Sequence, residues 1–159
     1  MDCEIDVIVE DARWGDLEPL ARRAVEAVFS GVGLMGDVAL LAADDARVAE
    51  LNAQFRGKPA PTNVLSWPAE ERGAEAPGGT PLAPTTGELG DIALAYETCA
   101  REAEAQRKPF EAHVTHLVVH GTLHLLGYDH ETVADAALME GLEVEILGNL
   151  GYPDPYLTQ

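Results

Sequence analysis

The stretch that most restricts this chain is HLVVHGTLHLLGYDH, residues 116–130. Phe110, Val114, Leu117, Val118, Gly121 and Leu125 recur at three- and four-residue spacing, which marks the buried face of a helix. His116, His120 and His124 form a stripe beside that face. Side chains four apart project from one side of consecutive turns, with Cβ atoms about 6 Å apart. Gly127 can end the helix with positive φ and turn the chain so that His130 returns alongside. Three imidazoles at this spacing can converge on one tetrahedral ion at about 2.0–2.1 Å and leave a fourth position open for water, the mark of a catalytic zinc site. We therefore expect one Zn²⁺ per chain on His120, His124 and His130. All-imidazole ligation suits zinc but also admits Ni, Cu or Co. His116 lies about 12 Å along the axis from His124, too far to share the same ion. It is expected to support or pack, and His113 to be structural.

The rest of the chain supplies an α+β frame for that helix. Residues 3–9 alternate and are rich in β-branched side chains, so they predict a strand. Leu17 to Phe29 carry helical periodicity, with Asp16 as the expected N-cap and Gly31 past the end. Residues 37–43 predict a second strand. Asp44 or Asp45 can cap a short helix that carries Val48, Leu51 and Phe55 inward. Asn63–Trp67 and Asp91–Ala95 predict two further strands. Residues 68–87 between them are dense in Pro and Gly and predict a surface excursion. Helices are expected at 97–107, 109–126 and 131–149. The expectation is one domain over 1–159, with a small mixed sheet of about four strands packed by about five helices. Cys3 and Cys99 form no framework and are expected to be reduced thiols. The acidic N-terminus lacks the pattern of a secretory signal, and no window has the length of a membrane span, so a cytoplasmic protein with no membrane partner is expected. Nothing in the sequence points to an oligomeric state.

The spacing H-x3-H-x5-H, with a Gly three residues after the second His, coincides with the metzincin protease template except at one position. Where those proteases place the Glu that acts as general base, this chain has Gly121. Without that carboxylate a peptidase lacks the group that deprotonates water. Asp129, Glu88 or Asp91 would have to replace it. Asp129 is equally suited to orienting an imidazole or to stabilising the turn.

HGTLHLLGYDH, LNAQFRGKPAPTNVLSWP at 51–68, GELGDIAL at 87–94 and MEGLEVEIL at 139–147 together resemble the YbeY-type rRNA maturation endoribonuclease family. The likeness spans nearly the whole chain in the family's order, with Trp67 where the family usually has Phe. It implies a mixed sheet packed with helices and one metal held by three histidines, here His120, His124 and His130. It also implies metal-dependent cleavage of single-stranded RNA in small-subunit ribosomal RNA maturation and ribosome quality control, with ribosomal RNA and the small subunit as partners. The family's functional arginine corresponds to Arg56. Phosphodiester cleavage needs developing negative charge stabilised, and a zinc ion with one Arg supplies that. Arg56 and Lys58 are the candidates for gripping phosphate, Arg through bidentate contact.

Charge limits this reading. The formal net charge is −18, and residues 109–159 contain eight acids and no Lys or Arg. Such a field repels nucleic acid at long range, so an anionic substrate must be met by a few local cations and a metal. Two other functions share the histidines: a zinc hydrolase of a peptide or amide, and a non-catalytic ribosome-assembly factor stabilised by its metal. All three readings require neutral imidazoles. Zinc affinity is therefore expected to fall as pH drops below about 6.5. Calorimetric titrations between pH 7.5 and 5 check this, and flat affinity across that range would refute a three-histidine site.

Overall fold

The computed structural model describes residues 4–57, 62–70, 74, 76–81 and 87–156, with Arg56 described by its backbone alone. Within them, strands β1 (Ile5–Val9), β2 (Asp37–Ala43), β3 (Val64–Pro68) and β4 (Glu88–Ala95) form one sheet in the order β1-β2-β4-β3. β1 and β2 run parallel, as do β2 and β4, whereas β3 is antiparallel to β4 at the edge. Helices α1 (Glu18–Val32), α2 (Asp45–Arg56), α3 (Tyr96–Ala105), α4 (Phe110–Leu125) and α5 (Val133–Asn149) accompany the sheet, with a 3-10 turn at Ala12–Trp14. This is the expected α+β class, with a mixed four-stranded sheet and five α-helices.

Alternation along the strands divides the core in two. Val38, Leu40, Ala42, Ile92 and Leu94 face α1, α4 and α5 in the larger cluster. Leu41, Ala43, Ala93 and Ala95 face the opposite way and pack with Val48 and Leu51 of α2. One irregularity keeps the larger cluster continuous. Asp37 pairs with Glu88 but Val38 pairs with Gly90, so Leu89 is an extra residue in β4. A β-bulge of this kind resets the alternation, and Leu89 and Ile92, three apart, both enter the same core.

Local chemistry sets the helix ends, in places differently from the sequence reading. Asp44 caps α2 by accepting from the Arg47 N–H at 2.8 Å. Asp45 instead accepts from the backbone N–H (2.9 Å) and hydroxyl (2.8 Å) of Thr98, tying α2 to α3. Asp16 does not cap α1: Leu17 occupies the N-cap without a side-chain bond. Nor does Gly31 end α1. A Cβ there would come within 3.0 Å of Ile146, so Gly31 admits α5 to a helix that ends at Gly33 with φ 73°. The strand expected at 91–95 begins three residues earlier, because the bulge lets Glu88–Gly90 continue the pairing. Phe55 is not inward. It is 60% exposed and meets Trp67 edge-on at 5.7 Å.

Cys99 is free and buried, and desolvation pushes its thiol up to about 12; Cys3 lies outside the described residues. Part of the 68–87 excursion also lies outside them. Its described tip turns back, Gly79 N–H to Ala76 O at 3.0 Å, and docks on the start of α5 through Gly78 N–H to Asp135 Oδ1 at 2.7 Å. No helix among the described residues is long and apolar enough to cross a membrane.

The bulge makes Gly90 the most constrained residue of the sheet. Its φ is 141°, and a Cβ would lie 2.1 Å from the Trp67 carbonyl oxygen and 2.9 Å from Leu125. Gly90→Ala is expected to lower unfolding free energy by at least about 1–3 kcal/mol, the usual cost of a strained backbone position. Urea denaturation measures it, and a wild-type midpoint would contradict the assignment.

Candidate metal centre

Helix α4 carries the site because it is buried on almost every side. Val114, Thr115, Leu117, Val118, Val119, Gly121, Thr122, Leu123 and Leu125 are all buried. From Ala112 to His124 the positions that retain partial exposure are Ala112, His116, His120 and His124. The stripe read from the sequence is thus a narrow slit in an otherwise enclosed helix. Gly121 is not on it. A Cβ at Gly121 would meet Ile92 at 3.3–3.5 Å, so this residue faces the sheet and lets α4 approach β4. The position that holds a catalytic Glu in the protease template here has no room for one.

Gly127 has φ 104° and closes the helix with Gly127 N–H to His124 O at 3.0 Å and Tyr128 N–H to Leu123 O at 3.1 Å. The reversal brings His130 to His120, with ring centroids 5.4 Å apart. Two imidazoles on one tetrahedral ion have ring centres roughly 5 Å apart at the Zn–N distances above, so this pair has the separation that joint ligation requires. His124 is half-buried one turn beyond His120. Among the described residues, no three His, Cys, Asp or Glu side chains already converge on a single point. The backbone turn at Gly127 fixes where His130 returns, and rotation about χ1 and χ2 would bring the three rings onto one ion.

Beneath the slit lies a residue that the sequence reading missed. Glu143 of α5 is 1% exposed. Its Oε2 lies 3.2 Å from His120 Nδ1, while its Oε1 is bonded to His116 Nε2 and accepts from the Tyr156 hydroxyl at 2.7 Å. Burial alone would raise this carboxyl. The bonds from His116, His120 and Tyr156 outweigh it and hold the group down at about 2. An ionised carboxylate only accepts, so a neutral His120 donates from the Nδ1 that faces it and presents the Nε2 lone pair. That is the donor a metal needs, and the set of His120, His124 and His130 fits a divalent ion of zinc's character. A signal for Glu143 was present: Met139, Glu143, Ile146 and Leu147 have helical core spacing and are all buried, and an acid within such a face calls for partners.

Of the other sequence candidates, Asp129 makes a turn bond, His113 is structural, and Lys58 and the Arg56 side chain lie outside the described residues. Asp129 Oδ1 accepts from the Glu131 N–H at 3.2 Å, a turn bond, and the orienting carboxylate is Glu143. Arg56 is the last residue of α2 and its side chain lies outside the described residues, as does all of Lys58. His113 is separate and structural. It is buried, with Nε2 2.9 Å from Glu102 Oε1.

Comparison with known proteins agrees with the likeness read from the motifs. The family model described as endoribonuclease YbeY matches residues 8–151. A protein of Ruegeria pomeroyi named endoribonuclease YbeY is 60% identical over 163 residues, covering 98% of this chain and 99% of its own. One of the same name from Dinoroseobacter shibae is 58% identical, covering 97% and 91%. Among solved structures, the solution structure of TM1509 from Thermotoga maritima superposes with a TM-score of 0.57 at 25% identity, covering 96% of this chain and 99% of that one.

Desolvation lowers the His113 pKa below its ordinary 6.5, against the opposing pull of Glu102. The unfolded chain then binds more protons at this site, so the native state loses stability as pH falls below about 6.5. His113→Gln should flatten that part of the stability–pH profile in denaturant titrations. A variant profile parallel to wild type would refute the assignment.

Proposed function

We propose that this chain, which belongs to the endoribonuclease YbeY family, is a zinc-dependent endoribonuclease that cuts single-stranded RNA in small-subunit ribosomal RNA maturation and ribosome quality control. The observation that carries the metal half is His120, held through Nδ1 by Glu143 beside His130. The RNA half rests on the name that its relatives carry. His120, His124 and His130 would hold the ion, which when bound supplies Lewis acidity at a phosphoryl oxygen and lowers the pKa of water. The buried walls of α4 fix the backbone spacing of His120 and His124. Arg56, at the C-terminal end of α2, is the residue assigned to the phosphate, where a guanidinium offers bidentate contact.

The peptidase reading gains no support from the same geometry. Glu143 is the carboxylate against His120, and both of its oxygens are engaged by His116, His120 and Tyr156. It is committed as an acceptor and is not free to take a proton from water.

Metal content and cleavage of a single-stranded RNA, measured on wild type, His124→Ala and Arg56→Ala, test the proposal. His124→Ala should lose both metal and cleavage. Arg56→Ala should keep its metal and lose roughly 10²–10³-fold in rate, the usual cost of one group that stabilises transition-state charge. Undiminished cleavage by nuclease-free His124→Ala would refute it.

A further inference from the structure

The C-terminal segment beyond α5 reaches the site through Tyr156. We propose that Glu143 and Tyr156 are positioning residues: the tail, through the Tyr156 hydroxyl, holds the Glu143 carboxylate against His116 and His120 and so selects the nitrogen that His120 presents. Its consequence for metal binding rests on the reading of His120 as a ligand.

The tail is built to hold this place. After α5 ends at Asn149, Gly151 turns the chain with φ 90°, and Tyr152 N–H bonds to Leu147 O at 2.9 Å. Lys108 Nζ donates to the Pro155 carbonyl at 2.7 Å, and Tyr156 N–H to Asp154 Oδ1 at 2.8 Å. These bonds deliver the Tyr156 hydroxyl to Glu143 Oε1 at 2.7 Å, with the phenol ring edge-on to His116 at 5.5 Å. Oε1 is then occupied by Tyr156 and His116, which leaves Oε2 to His120 alone. With Nδ1 turned onto Oε2 at 3.2 Å, a neutral His120 donates from Nδ1 and presents Nε2 away from Glu143.

Solvent geometry reinforces the same point. A cleft of about 900 Å³ opens between the α3–α4 connection and the tail, and both His116 and Tyr156 line it while Glu143 does not. Tyr156 therefore stands between the buried carboxylate and cleft water. Its removal would cost Glu143 one charge-assisted bond and admit solvent to Oε1, loosening the group that orients His120.

The test compares wild type, Glu143→Gln, Tyr156→Phe and the tail control Tyr152→Phe. Long-range ¹⁵N–¹H spectra of the metal-free proteins report the His120 tautomer, and competition with a chromophoric chelator reports zinc affinity. Wild type and Tyr152→Phe should show His120 protonated at Nδ1. Glu143→Gln should lose that tautomer and bind zinc 10–100-fold more weakly, and Tyr156→Phe about tenfold more weakly, as for other groups behind a ligand. The metal-free Tyr156→Phe protein should stay folded, its melting temperature lowered only by the loss of one charge-assisted bond. Wild-type His120 protonated at Nε2, or wild-type zinc affinity in Tyr156→Phe, would overturn the proposal. Should Glu143→Gln fail to fold, Tyr156→Phe decides by itself, since Tyr156 is a partly exposed tail residue. If His124→Ala binds zinc as tightly as wild type, the metal reading fails, and the His120 tautomer still decides the positioning role.

Discussion

The enclosure of α4 is the constraint on which the rest of the structure depends. A sixteen-residue helix with buried side chains on most of its circumference needs neighbours on every side, and α1, α3, α5 and the sheet provide them. Close approach is possible only where side chains are absent. Gly121 gives way to Ile92, and Gly90 makes room for Leu125 while bulging β4. Once the helix is clamped, the stripe of Ala112, His116, His120 and His124 is what remains open beyond its first two residues. The positions of the imidazoles therefore follow from core packing, not from contacts among the imidazoles themselves.

Burying Glu143 under that stripe would be prohibitive for an isolated charge, since a carboxylate taken out of water without partners costs many kcal/mol. Three donors from two further segments compensate it: His116 and His120 from α4, and Tyr156 from the tail. The arrangement joins α4, α5 and the C-terminal segment at one point. Removing any one donor leaves the charge less compensated, which makes the network sensitive to single substitutions. Stability and site geometry are thus coupled through the same carboxylate.

The parts of this molecule that were legible in the sequence are those governed by local periodicity. The α4 stripe, the positive φ of Gly127, the alternating strands and the α+β class all follow from spacing within a dozen residues. What escaped depended on contacts distant in the chain. Gly31 has the look of a helix terminator, but its role is to admit Ile146, over a hundred residues away. The bulge at Leu89 is invisible until β2 is its partner. Phe55 fits the inward phase of α2, yet it lies in the helix's last turn, where the second core cluster no longer reaches it. Glu143 stood within a core-spaced run, but its partners His116, His120 and Tyr156 lie 27, 23 and 13 residues away, so no local rule connected them.

The chain's charge then bears on how an enzyme of this kind would meet RNA. Its described arginines are largely occupied: Arg13 with Asp11 and Glu97, Arg22 with Glu18, Arg47 with Glu10 and Glu50, Arg101 with Asp45. Exposed pairs of this sort add little stability, but they remove cations that would otherwise contact phosphates. With a net charge of −18, few counterions are displaced when RNA approaches, and sequence-independent affinity stays low. Under the function proposed above, attraction would be concentrated at the slit, where a divalent ion and Arg56 would act over a few ångströms inside the screening length. An acidic surface with one cationic focus disfavours indiscriminate binding along a strand and favours a phosphate presented directly to the histidines. Under the function proposed above, selectivity thus arises from repulsion everywhere except at the site, and the precision with which Glu143 sets His120 matters more than any extended basic surface.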